Sequence, residues 1–229
     1  MKTSKFILGG ISAALILAFT NPARAAQIRS AEEWLNHYYE YPQPEQFVPA
    51  VYALSRSGYF EQPGHVPLAI GFIASIFAQN PEQIDQWVMA TRDLPKAHQR
   101  LIASALWYSG SPKGVDYLRA YTRVVGPELR AEIEQLLLTQ PALRDAEVRS
   151  ASSLNLQWGA FLATGETAPI MHVLTALGSD EPGLSTAARF ALAEKAASHQ
   201  RVYEICQAQL ANQPAQVRDQ MRAALASVK

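Results

Sequence analysis

Five histidines, one cysteine and a scatter of serines and carboxylates are the residues of this chain able to do chemistry. The histidines are His37, His65, His98, His172 and His199. No two stand at the i, i+4 spacing that places a pair of metal ligands on one helix face, and no HExxH segment occurs. His199 and Cys206 lie seven apart and can share a helix face, but two ligands do not make a site. Cys206 falls in VYEICQAQL at a position spaced like its apolar neighbours, which predicts a buried small side chain. Being the only cysteine, it excludes an internal disulfide.

Nucleophilic catalysis needs a nucleophile beside an oriented base. Ser55, Ser57 and His65 flank one irregular stretch, but a helix C-terminus offers carbonyls where an oxyanion needs N–H groups. No GxSxG elbow, GxxxxGK[ST] loop or GxGxxG turn is present. Sugar hydrolysis would need two acids facing one cleft. Glu32, Glu33, Glu132, Glu134 and Glu194 stand in polar helical contexts, and Glu132 and Glu134 are two apart, on different faces. No catalytic residue, metal ligand set or cofactor follows from these patterns. One stripe suggests contact with a partner: Trp34, His37, Tyr38 and Tyr41 recur at i, i+3, i+4, i+7. Aromatic rings offer large contact area with polar tips, so the stripe is expected either to line a partner groove or to pack as an N-terminal cap.

The elements that position these residues are helices. Ile170, Val173, Leu174 and Leu177 repeat with the period of an amphipathic helix, as do Ile84, Trp87, Val88 and Thr91. No stretch alternates with period two, so an all-α fold without sheet is expected. Pro44, Pro81, Pro127, Pro141 and Pro214 sit where helices should begin, and Ser30 with Glu33 reads as a capping box. Gly58, Gly110, Gly126, Gly165 and Gly178 sit where helices should stop. The pattern predicts helices near 30–41, 45–57, 67–79, 81–92, 96–109, 113–124, 127–139, 150–164, 168–177, 184–198, 200–211 and 214–227. Pro49 should delay the second, and 58–66 should be the longest irregular stretch. Gly159, inside a helix, costs about 1 kcal/mol against Ala. Close approach of a neighbouring helix would compensate, and Gly71 is suited to the same part.

The segments LIASALWYSGSPKGVDYLRAY (101–121) and LQWGAFLATGETAPIMHVLTAL (156–177) share a plan: an apolar helix, a glycine, a short gap and a second helix. GFIASIFAQNPEQIDQWV (71–88) follows it with Asn80 at the glycine position, and 188–210 follows it loosely. This resembles tetratricopeptide-type and Sel1-type helical repeats over 67–211. The resemblance implies a right-handed stack of short helical hairpins, an α-solenoid, and partner binding through a curved surface. A compact irregular helical domain is the alternative.

The N-terminus carries Lys2 and Lys5, then the apolar run Phe6–Phe19, then Asn21-Pro22 and Ala23-Arg24-Ala25. These are the three parts of a secretory signal, and cleavage is expected after Ala25. The run is shorter than the roughly 20 residues a membrane span needs. Residues 26–229 are then one all-α domain, periplasmic or secreted, with no membrane span. The removed segment holds three basic residues and no acid, so the 20 basic and 20 acidic residues of the whole chain become a net charge of −3. Such a chain lacks the basic face that nucleic acid requires. The expected function is a non-enzymatic protein- or peptide-binding module of the cell envelope. A cell-wall hydrolase with an unrecognised site, or a secreted effector, is the alternative.

Overall fold

The computed structural model describes residues 30–139, 143 and 146–226. The expected signal segment and Pro141 lie outside them. The described residues form twelve α-helices and no strand. They are α1 (Ala31–His37), α2 (Phe47–Arg56), α3 (His65–Gln79), α4 (Ile84–Ala90), α5 (Lys96–Tyr108), α6 (Pro112–Tyr121), α7 (Pro127–Leu137), α8 (Ala151–Thr164), α9 (Thr167–Leu177), α10 (Pro182–Ser198), α11 (Gln200–Gln209) and α12 (Ala215–Ala226).

The helix boundaries follow local chemistry. The Ser30 hydroxyl accepts the Glu33 N–H at 3.1 Å and opens α1. Ser150 and Ser153 bond reciprocally through side chain and backbone, a capping box that opens α8. Proline occupies the first positions of α6, α7 and α10, and of the 3-10 turns Pro44–Gln46 and Pro81–Gln83 that lead into α2 and α4. Pro49 does not delay α2, which starts at Phe47; the third helical residue has no intrahelical acceptor for its N–H, so the ring is tolerated there. Gly165 ends α8 in the left-handed region (φ 65°), its N–H on the Phe161 carbonyl at 2.7 Å. Gly126 corrects the expected pattern: it stands before α7 as its N-cap rather than closing α6. The 58–66 stretch is less irregular than expected, with a 3-10 turn at Tyr59–Glu61 and α3 beginning at His65.

The packing centre is the pair α3 and α8, in contact along most of their length. Two glycines make this approach possible. A β-carbon on Gly71 would fall on the Leu156 carbonyl, and one on Gly159 on the Leu68 carbonyl and Phe72 amide. Each glycine therefore serves the opposite helix's backbone, which is the compensation expected for a glycine in mid-helix. Around this pair the chain lays two groups. On one side α5 packs on α3, and α6 and α7 pack on α5. On the other, α9 packs on α8, α10 on α9, and α12 on both α9 and α10. Buried aromatic pairs fill the ends: Phe47 stacks on Trp87 at 4.6 Å, and Trp34 and Tyr38 meet Phe72 edge-on at 5.2 and 5.5 Å. One continuous hydrophobic core runs from Trp34 to Leu225.

Candidate functional site

A concavity lies where α3, α5, α8 and α9 leave a groove of about 440 Å³. That is the size of an ordinary ligand pocket. Its lining follows from the close α3–α8 approach: two helices brought together by glycine carry small residues beside the crossing, and Ala74, Ala78 and Ala160 leave space. Tyr108, at the C-terminus of α5, supplies an aromatic ring to the lining, and Ala168 and Pro169 of α9 complete it. Hydrogen-bonding groups ring the space: Ser75, Gln79, Gln157, Thr164, Glu166 and His172. Several are held in place. Ser75 donates to the Gly71 carbonyl at 2.9 Å, and Thr164 to that of Ala160 at 2.9 Å. Gln157, 2% exposed, donates to the Leu143 and Ala146 carbonyls at 3.1 and 3.2 Å. Its amide thereby ties the chain before α8 to the groove floor. Among the described residues Glu166 is the only carboxylate in the lining, one acid where a glycosidase uses a pair.

The aromatic stripe of α1 turns mostly inward. Trp34 and Tyr38 are each 2% exposed, and Trp34 Nε1 donates to the Gln43 carbonyl at 3.3 Å. Burial pushes the Tyr38 hydroxyl up to about 12. His37 and Tyr41 lie at the surface, and all four residues are away from the groove. The periodicity identified an apolar face; it did not say whether that face meets core or solvent.

The carboxylates weighed from sequence are solvated. Glu132 takes a bidentate bond from Arg100, and Glu194 pairs with Lys195. Cys206 is fully buried, and burial raises its thiol to about 12, out of the reactive range.

Two constellations appear that spacing did not reveal. The first contains Ser55 without its expected companions: Ser57 donates to the Leu54 carbonyl, and His65 Nδ1 meets the Tyr59 carbonyl. Ser55 Oγ instead lies 2.8 Å from Nδ1 of His98, whose Nε2 is 3.0 Å from Glu61 Oε1. With the hydrogen on Nε2, serine donates to the ring and the ring donates to the carboxylate, and every group is satisfied. His98 is buried at the start of α5 and joins α2 to the 3-10 turn. Ser55 stands in the last turn of α2, among carbonyls, which suits a tether better than a nucleophile.

The second joins His37, Glu40 and His199, each offering a ligand atom, all within 4.8 Å of one another. His37 ends α1, Glu40 follows in the turn, and His199 caps α11. The Tyr39 hydroxyl donates to Glu40 Oε1 at 2.8 Å and lies 3.4 Å from His199 Nδ1. Burial, then the positive charges of Lys195 and His37, lower His199 to about 4 and keep it neutral at physiological pH. Burial and its bond to Glu40 push Tyr39 well above the ordinary tyrosine range. No local motif signals this group, because Tyr39 and His199 are 160 residues apart.

No family model, curated protein or solved structure matches this chain. Among the described residues no helix is long and apolar enough to cross a membrane.

Proposed function

We propose that the chain is an exported, non-enzymatic binding module of the cell envelope that takes a peptide segment into the groove between α3, α5, α8 and α9. The observation that carries this reading is the lining of that groove: Ala74, Ala78 and Ala160, the Tyr108 ring, and amide and hydroxyl groups with, among the described residues, one carboxylate. The Ser75, Thr164 and Gln157 oxygens can accept from the N–H groups of a peptide backbone, and the Gln79 amide can donate to its carbonyls. The small alanine side chains leave room for small or slender side chains of a partner. The hairpins α5–α6 and α8–α9 fit short solenoid-like stacks on either side of the α3–α8 crossing, an arrangement that places partner sites on concave surfaces. Export rests on the N-terminal basic, apolar and Ala-Arg-Ala segments. A secreted effector would use the same groove on a partner outside the cell.

Groove-filling from an exposed position tests this. Ala78 lies at the groove edge with an exposed side chain, so Ala78→Trp occupies the space without disturbing the core. In-cell crosslinking should recover a specific envelope protein with the wild type and lose it with Ala78→Trp, once circular dichroism shows both folded. Recovery of the same partner by both would reject the groove as its site. A hydrolytic second reading would rest on Ser55, His98 and Glu61. A serine-reactive phosphonate probe should leave Ser55 unlabelled; labelling of wild type but not of Ser55→Ala would favour the hydrolase.

A further inference from the structure

We propose that His37, Glu40 and His199 form a binding site for a divalent transition-metal ion of the zinc class. Two imidazoles and one carboxylate are the donors such an ion prefers over calcium or magnesium, and three protein ligands leave a fourth position open to water or a partner group. Their ligand atoms already lie within 4.8 Å of one another, with His37 Nδ1 3.5 Å from Glu40 Oε2. Tetrahedral zinc, with bonds of about 2.0–2.1 Å, needs donors roughly 3.3 Å apart. The remaining closure falls to the two more exposed ligands, the His37 and Glu40 side chains being 46% and 36% exposed.

His199 is the fixed ligand. It is 3% exposed, its backbone N–H bonds the Lys195 carbonyl at 2.8 Å, and its ring is held between Phe161 and Tyr39. Tyr39 supplies the support that metal-binding carboxylates usually have, a hydroxyl donating to Glu40 Oε1 that leaves Oε2 turned toward His37. Tyr39 is itself anchored: its N–H bonds the Leu162 carbonyl at 3.1 Å, and its ring lies over Gly165 and Phe161. A side chain at Gly165 would collide with that ring, so the glycine serves the placement of Tyr39 as well as the cap of α8. Lys195 opposes a cation here, but its ammonium sits 3.2 Å from Glu194 Oε1, which offsets it. The ion would join the turn after α1 to the α10–α11 junction. Both flank the C-terminus of α8, whose neighbouring Thr164 and Glu166 line the groove.

The test uses tag-free chain stripped by a chelator and titrated with Zn²⁺ in a calorimeter. His37→Ala and Glu40→Gln alter only exposed side chains, and circular dichroism should show both folded. The expected result is one Zn²⁺ per chain, with each substitution weakening binding by about tenfold or more. Substituted Co²⁺ should give the intense visible bands of a tetrahedral site. Absence of stoichiometric Zn²⁺ uptake, or affinity kept within about tenfold of wild type in either variant, would overturn the assignment.

Discussion

Helices α3 and α8 differ from α6 and α7 in what their residues meet. Nine of the 14 residues of α8 and eight of the 15 of α3 are buried, whereas α7 buries Ile133 alone and α6 only Gly114 and Leu118. The first pair is apolar nearly all round, as helices at the centre of a protein are; the second carries a narrow stripe. Hydrophobic stabilisation is therefore concentrated at the α3–α8 crossing. The groove and the histidine cluster lie on either side of the C-terminal end of α8. Both candidate sites adjoin one of the most deeply buried helices of the molecule, and α6 and α7 form a rim that buries less.

This contrast predicts unequal costs for similar substitutions. Phe161 is fully buried, and Phe161→Ala should destabilise by about 3–5 kcal/mol. Val124→Ala, at a residue 78% exposed beside α6, should fall within about 0.5 kcal/mol. Urea denaturation of both variants compares them directly, and equal shifts in midpoint would remove the distinction between centre and rim.

The glycines sharpen it further. Gly159→Ala and Gly71→Ala place a methyl on a backbone carbonyl of the facing helix, which cannot move aside as a side chain can. Each should cost about 3 kcal/mol or more. Gly183→Ala in α10 meets nothing within 4 Å and should stabilise by about 0.4–1 kcal/mol. Stabilisation by Gly159→Ala in the same denaturation assay would show that α3 and α8 are not in contact as described.

A further expected effect is one of pH, measured with chelator present. His199 is held at about 4, below its ordinary 6.5, by burial and by Lys195 and His37. The unfolded chain therefore takes up this proton before the folded one does. The stabilisation is complete above pH 6.5 and is lost as pH falls from 6.5 towards 4, amounting to about 3 kcal/mol. His199→Gln should flatten the stability profile across that window. A profile equally steep in the variant would assign the acid sensitivity to other groups.

Much of the local structure was legible in the sequence. Prolines, capping serines and the 3.6-residue period marked helices that lie close to those observed, because caps and periodicity depend on neighbours a few residues away. The close approaches at Gly159 and Gly71 were legible too, although which backbone each one faces, Leu68 and Phe72 for Gly159 and Leu156 for Gly71, was not. The inward turn of Trp34 and Tyr38 was not legible, since an apolar stripe reads alike whether it meets core or ligand. Nor were the tether of Ser55 to His98 and Glu61, or the gathering of His37, Glu40 and His199. These groups belong to segments far apart in the chain. What the sequence by itself determined was the set of helices, their starts and stops, and the need for one close crossing, because short-range hydrogen bonding and sterics set those. Which helices cross, where the groove opens and which polar side chains meet were decided only by tertiary packing. Those outcomes depend on how whole apolar faces fit one another, and no local pattern encodes that fit.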